Sequence, residues 1–311
     1  MRSLQQGKKW LKMLCGKSIL HVMQDEGKVF SRDEVRGYYN NFTDKLLKPG
    51  ALLDETGLVY NLTNEGKHIY FSIAIFQYGL GAYDLYLITG QEKYRQLFMR
   101  AVDWAMQCQQ PSGAWDTFSV VGMANPYSAM AQGEGASLLV RAYVETGDAD
   151  FLHAAKQAVD FMCLPVADGG CSQYSGDKVW YKEYIDEPVV LNGWIFSIWG
   201  IYDYYKASRD GFYLSLVQQA VHSLAEDISA FDGAYWSKYD MGRKMASPFY
   251  HQLHISQLRV MYTLFEESVF LEYAEKWEGF SRNHWYLYRA FLVKSYQKLT
   301  EKQRGKDVIV G

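Results

Sequence analysis

A helix-and-break unit recurs along this chain, and it limits the fold more than any other feature of the sequence. From His68 onward each unit holds an apolar helix, a short turn with Gly or Asp, an amphipathic helix and a Gly-rich return. The breaks fall at Thr89-Gly90, Thr146-Gly147, Ser208-Arg209 and Glu266-Glu267. They lie about 57 to 62 residues apart, a period that marks a repeated supersecondary unit. The pattern predicts apolar helices over Ile69 to Ile88 and Val189 to Tyr205, and a fourth starting at His254. Partner helices are predicted over Gln91 to Gln109, Ala149 to Met162, Tyr213 to Ile228 and Val269 to Phe280. Inner helices buried all round and outer helices with one wet face make an all-α fold, an (α/α) toroid or barrel of helical hairpins.

Residues 1–65 read as an N-terminal helix, over 1–20, followed by a short irregular arm, with GYYNNF (Gly37 to Phe42) as a short strand or arm. Residues 66–311 carry the hairpin repeats, and a last helix, Trp285 to Lys298, helps to close the ring. No Pro/Ser-rich linker interrupts the array, so one catalytic domain over 1–311 is expected. Long loops between hairpins gather at one end of such a scaffold, where sites usually sit.

The net charge of −3 argues against a general binder of nucleic acid or of an anionic membrane, which would show a basic excess. No run of 18 apolar residues is present, so no transmembrane helix is expected. The N-terminus is basic without an apolar signal region, and a cytoplasmic location is the expectation. Cys15, Cys108, Cys163 and Cys171 lack CxxC spacing and read as reduced, mostly buried thiols rather than a zinc site. Aromatics make up 16% of the chain. That level suits stacking on sugar rings as well as filling a core.

No GxSxG elbow, P-loop or GxGxxG-helix pattern occurs. The chemistry-bearing residues concentrate in three stretches: Asn125 to Tyr143, Trp180 to Asp203, and Tyr239 to Leu258. They supply carboxylates (Glu134, Glu183, Asp186, Asp232, Asp240), phenols (Tyr127, Tyr181, Tyr184, Tyr239, Tyr250) and the imidazoles His251 and His254. That set suits proton transfer; singly, each carboxylate also reads as a helix cap or a surface ion pair with Arg243 or Lys244. His251 and His254 share a helix face in YHQLH. Without HExxH or a carboxylate at ligand spacing, they read as hydrogen-bonding to a ligand rather than holding a metal. QQPSGAW (Gln109 to Trp115) fits a pattern of terpene-cyclase toroids, but the acidic signatures are absent, and the plain reading is a turn stapled by Trp115.

Four colinear blocks over roughly residues 110–280 resemble the D-glucuronyl C5-epimerase family, enzymes that convert D-glucuronate to L-iduronate within heparosan-type polysaccharides. They are YSAMAQGEGASLLVRAY (Tyr127 to Tyr143), WYKEY…VLNGWIFSIWGIYD, YD…YHQLHISQL and EESVFLEYAEKWEGF (Glu266 to Phe280). The resemblance implies an α/α-barrel catalytic region, in agreement with the repeat. It places proton transfer on Glu183, Tyr184, Tyr239 and Tyr250. Asn192 and Gly193 match the family's Asn-Gly. Arg243 matches a substrate-contacting Arg at a spacing one residue longer, and the first Glu of the family's W-Y-E-E-Y is Lys182 here. Trp115, Tyr127, Gln132, His251 and His254 would line the sugar subsites. Animal members add β-rich domains, said to help bind the chain and to carry a calcium site. This sequence has no room for them, so a minimal monomer or a homodimer that completes the groove is expected.

The implied reaction removes the C5 proton, α to the uronate carboxylate, and returns a proton on the other face. It needs a base, an opposed acid, and donors that neutralise the growing charge. Glu183 is the expected base and Tyr250 the acid, with Tyr184 and Tyr239 able to exchange roles. Arg243, Lys244 or His251 would draw Tyr250 down from its usual value near pH ~10. No metal or organic cofactor is expected. The expected partner is an anionic uronic-acid polysaccharide or oligosaccharide. A lyase sharing the same proton abstraction, a glycoside hydrolase pairing Glu183 with Asp232 or Asp240, and a non-catalytic uronan-binding protein stay open.

Overall fold

The chain turns back on itself wherever an 18-residue inner helix reaches a residue in the left-handed conformation. The computed structural model describes residues 24–63, 65–300 and 309–310; the helix expected over 1–20, with Cys15, lies outside them. In chain order the helices are α1 (Asp44–Leu47), α2 (Ser72–Thr89), α3 (Glu92–Cys108), α4 (Ala129–Thr146), α5 (Ala149–Cys163), α6 (Leu191–Ser208), α7 (Gly211–Asp227), α8 (Pro248–Phe265), α9 (Ser268–Ser281) and α10 (His284–Thr300). The inner helices α2, α4, α6 and α8 end at Gly90, Gly147, Arg209 and Glu266. All four have positive φ, and each donates its N–H to the carbonyl four residues back. Outer helices α3, α5, α7 and α9 pack on the inner helix that precedes them, giving four hairpins of an α/α toroid.

The fourth inner helix starts at Pro248, six residues before the predicted His254. Ser247 caps it by accepting the Tyr250 N–H at 3.3 Å, and Pro248 stands where a helix needs no N–H. His68–Ile69, expected at the start of a helix, is instead strand β3 of a small antiparallel sheet with β1 (Leu52–Leu53) and β2 (Val59–Thr63). A second hairpin, β4 (Ser172–Ser175) with β5 (Lys178–Tyr181), fills the return before α6.

Helices α4 and α6 meet backbone to backbone at two glycines. A Cβ on Gly200 would lie 2.5 Å from the Gly133 Cα, and one on Gly133 would lie 2.7 Å from the Phe196 carbonyl oxygen. The QGEGAS run therefore lets the two backbones meet. One apolar core runs from Tyr38 to Trp277, with Trp115, Trp194, Trp199 and Trp277 fully enclosed. Burial contributes about 1.5–3 kcal/mol per large apolar side chain, so most of the aromatic content is structural. Cys171 is buried and Cys163 half-buried, but Cys108, the last residue of α3, is exposed, contrary to the thiol expectation.

The arm is the largest departure from the sequence reading. Tyr38, Tyr39 and Phe42 are wholly buried, packed against Phe196 and Trp199 of α6. The arm crosses the C-terminal halves of the inner helices. Asp84 of α2 accepts the Tyr38 N–H at 2.8 Å, and Arg141 of α4 donates to the Gly37 carbonyl at 3.0 Å. Lys206 of α6 donates to the carbonyls of Ser31 and Glu34, and Arg32 pairs with Glu266. Beneath the arm, Arg141 and Asp203 form a fully buried ion pair at 2.6 Å, and the Tyr39 hydroxyl donates to Asp203 at 2.6 Å. The arm thus occupies the C-terminal end of the helix ring and leaves the N-terminal end to the loops.

Candidate active site

Glu183 and Tyr184 follow directly on β5, and the backbone before them is held from two sides. The Lys182 N–H donates to the Cys171 carbonyl at 2.8 Å, and the Lys182 carbonyl accepts the Ala129 N–H, at the start of α4, at 2.9 Å. The Lys182 side chain is buried and donates to the Glu187 carbonyl. Glu183 then folds onto the first turn of α6. A Cβ on Gly193 would come 2.6 Å from Glu183 Oε2, so the glycine makes room for the carboxylate. The positive end of the helix dipole at that turn favours an anion. Tyr184 stacks on Phe118, with ring centroids 4.9 Å apart.

The second wall is the hairpin over residues 237–246. Lys238 bridges Met245, the Tyr239 N–H donates to the Lys244 carbonyl at 2.6 Å, and the Leu191 N–H of α6 donates to the Tyr239 carbonyl at 3.2 Å. Asp240, itself buried, accepts the N–H groups of Gly242 and Lys244 and so shapes the tip of this hairpin. Tyr250 enters from the first turn of α8, its ring edge-to-face with Tyr239 at 4.8 Å. The starts of α4, α6 and α8 therefore converge on one cluster.

Within it the side chains form a hydrogen-bonded chain: Glu183 with Tyr184, Tyr184 with Tyr239, Tyr239 with Tyr250. Glu183 is 5% exposed, while the three phenols are half-buried and reach the rim. All three phenols are pushed above the usual tyrosine range, first by burial and then by the negative charge of Glu183. They hold their protons at neutral pH and act as donors. This corrects the expectation that a neighbouring cation or His251 draws Tyr250 downward.

His251 faces away from the cluster. Its Nδ1 accepts the Ser237 N–H at 3.1 Å, its Nε2 lies 3.0 Å from the Trp277 carbonyl, and its ring lies flat on Trp236, centroids 3.6 Å apart. Burial lowers it to about 3, so it is a neutral structural imidazole. His254 is fully buried, also meets Ser237, and is lowered well below its usual value by burial. Both rings are buried, and the His254 Nε2 has no hydrogen-bond partner among the described residues.

Trp115 is sealed in the core, its indole N–H donating to the Ala105 carbonyl, and Gln132 bonds both the N–H and the carbonyl of Trp115. The staple reading of QQPSGAW describes Trp115, and neither Trp115 nor Gln132 offers a face to a sugar. Asn192 is 2% exposed, with its side-chain amide N–H on the Met130 sulfur and its backbone carbonyl accepting from Gln257. Tyr127 remains half-buried, hydrogen-bonded to Gln110, and Arg243 is exposed at the hairpin tip. Glu134 is enclosed beneath the site, accepts from Gln77 at 2.8 Å, and is raised well above a normal carboxylate by burial. Asp232 is engaged by Lys276 at 2.5 Å and by the Trp277 indole. Phe118, the platform under Tyr184, escaped the sequence reading because its loop carries no periodic signal. Among the described residues no three His, Cys, Asp or Glu side chains gather as a metal site would require, and no helix is long and apolar enough to cross a membrane. A surface hollow of about 410 Å³ between Thr56, Lys93, Gln96 and Arg100 contains none of the cluster residues.

Residues 112–279 match the family model for the D-glucuronyl C5-epimerase C-terminus. The chain is 26% identical over 220 residues to a D-glucuronyl C5-epimerase of Caenorhabditis elegans, covering 61% of this chain and 36% of that protein. It is 29% identical over 155 residues to an uncharacterized protein of Methanocaldococcus jannaschii, covering 48% of this chain and 50% of that protein. The chain thus spans between about a third and a half of these curated relatives. Among solved structures it is similar to cellobiose 2-epimerase from Bacillus thermoamylovorans (TM-score 0.47, 13% identity, 84% of this chain and 72% of that one). It is also similar to an unsaturated glucuronyl hydrolase from Bacillus sp. GL1 (TM-score 0.46, 14% identity, 65% and 60%).

Proposed function

Because the chain belongs to the D-glucuronyl C5-epimerase C-terminal family, we propose that it is a carbohydrate epimerase that inverts C5 of a uronate residue in an anionic polysaccharide or oligosaccharide. The observation that carries this reading is the hydrogen-bonded chain of one carboxylate and three proton-bearing phenols at the mouth of the helix ring. Glu183 is the base. Its carboxylate sits on the first turn of α6, where Gly193 fixes its position. The C5–H is acidified by the adjacent uronate carboxylate, and loss of the proton leaves an enediolate. A phenol, Tyr250 in this reading, returns a proton on the opposite face, and Tyr184 and Tyr239 donate hydrogen bonds and can refill it along the chain. A phenol held above its usual range is the stronger reservoir at neutral pH and the weaker acid, so donation requires the growing charge of the enediolate to draw the proton over.

Tyr127 and Arg243 are the proposed substrate contacts at the rim. The contiguous core from the arm to α9 supports one catalytic unit. The hydrolase reading loses its second carboxylate, since Asp240 shapes the hairpin tip and Asp232 is engaged by Lys276. Proton NMR of unsulfated heparosan incubated with the protein in D2O tests the proposal. Loss of the C5–H signal with new iduronate resonances and no cleavage is expected. Olefinic signals would make the protein a lyase, and an unchanged C5–H signal would remove the assignment for this substrate.

A further inference from the structure

Helix α10 lies beyond the segment matched by the family, which ends at residue 279, yet it borders the candidate site. Ala290 joins a small apolar cluster with Trp236, Met245 and Ala246, against which Leu287, Val293 and also Tyr250 pack. The Lys294 ammonium lies 5.6 Å from the centre of the Tyr239 ring. Ala290, Val293 and Gln297 stand at i, i+3 and i+7, so they share the inner face of the helix. Gln297 ends that row against the hairpin that carries Tyr239 and Arg243. Its amide N–H donates to the Arg243 carbonyl at 2.7 Å, and its amide oxygen accepts the Met245 N–H at 3.0 Å. These two backbone groups flank Lys244 and face one side of the hairpin, as the groups of a strand face a neighbouring strand. A Gln side chain offers the same donor and acceptor as a peptide, so Gln297 stands in for a further strand. From within the hairpin, Asp240 accepts the N–H groups of Gly242 and Lys244 at 3.0 and 3.2 Å. The main chain around Arg243 is thus held from two sides, while the Arg243 residue itself is exposed.

We propose that Gln297 is a positioning residue: it holds the hairpin tip so that the Arg243 guanidinium is placed to receive the carboxylate of the bound uronate. This rests on the proposed reading of the site as a uronate C5-epimerase with Arg243 as a substrate contact. A guanidinium meets a carboxylate through a planar fork, which depends on origin and direction more than a point charge does. Ordering a free hairpin tip would oppose substrate binding; with the two Gln297 bonds made, the tip is ordered before the substrate arrives. The uronate carboxylate is already charged before reaction, so its contact with Arg243 forms on binding. Loss of that contact therefore falls mainly on KM, whereas a displaced Tyr239 would show in kcat.

The test is a double-mutant cycle on Gln297→Met, which keeps the length of the side chain and removes the amide, and Arg243→Met. Gln219→Met on the outer helix α7 is the control, since Gln219 also donates its amide to a backbone carbonyl, that of Asp177 at 3.1 Å. Each variant is assayed below its melting temperature for C5–H to deuterium exchange on unsulfated heparosan, with kcat and KM resolved. The expected result is a fall of about 5- to 20-fold in kcat/KM for Gln297→Met, chiefly through KM, and of about 10- to 100-fold for Arg243→Met. The double variant should match Arg243→Met within about twofold, because Gln297 acts through Arg243, and Gln219→Met should keep wild-type values. Losses that multiply in the double variant, or a Gln297→Met loss confined to kcat, would overturn the inference and leave the epimerase reading standing. Wild-type kcat/KM in either single variant would do the same. A wild-type protein that does not exchange C5–H removes the reading and the inference together.

Discussion

Gly193→Ala isolates the position of the proposed base from its chemistry. The added Cβ would lie 2.6 Å from Glu183 Oε2 and 2.8 Å from Glu183 Cβ, where ordinary contacts begin at 3.4 Å. Rotating the carboxylate relieves only the first clash. The Cβ contact requires the Glu183 backbone, which directly follows Lys182 pinned between Cys171 and Ala129, to retreat by about 0.6 Å, and misplacement on the 1 Å scale costs up to ~100-fold in rate. Overpacking costs about 1–3 kcal/mol, offset by about 1 kcal/mol from replacing a helical glycine with alanine. The variant should therefore stay folded, melt within a few degrees of wild type, and lose about 10- to 100-fold in kcat for C5–H exchange. Gly279→Ala in α9, where an added Cβ meets nothing within 4 Å, is the matched control and should keep full activity. Wild-type kcat in Gly193→Ala would refute the claim that the α6 turn fixes the catalytic carboxylate.

Glu183→Gln and Tyr250→Phe should each reduce turnover by at least ~100-fold with melting preserved; wild-type-like exchange in both would sink the site assignment. Arg141→Met leaves fully buried Asp203 with only the Tyr39 hydroxyl and the Lys206 ammonium, 3.9 Å away, to meet its charge and should destabilise the fold by about 3 kcal/mol in denaturant titration. A cost below ~1 kcal/mol would contradict that pairing. Asp84 is buried under the arm and raised to about 7, first by burial. Its folded pKa exceeds the unfolded value near ~3.9, so the folded state binds the extra proton, and its contribution to stability is lost as pH rises from about 4 to about 7. Asp84→Asn should flatten that part of the stability profile; an unchanged slope would show that the carboxyl titrates normally.

The four hairpins were legible because helix periodicity and left-handed stops are local: the inner helices start at Ser72, Ala129, Leu191 and Pro248 in step with the breaks. The family blocks pointed to the Glu183, Tyr184, Tyr239 and Tyr250 cluster, which the loops assemble from segments up to 67 residues apart. Burial was not legible. Trp115, Gln132, His251 and His254 carry groups that suit a sugar, but whether those groups face a ligand or a backbone carbonyl depends on what distant segments place beside them. His251 turns to Ser237 and Trp277, and Trp115 to Ala105.

The sequence by itself determined the helical repeat and which residue types could move a proton, because both depend on residues near one another along the chain. Only the tertiary structure decided that the arm enters the helix ring, that Asp203 meets Tyr39 across 164 residues, and that α10 brings Lys294 to Tyr239. Those contacts are selected by the shared burial of charge and aromatic surface, a property of the packed whole that no local pattern encodes.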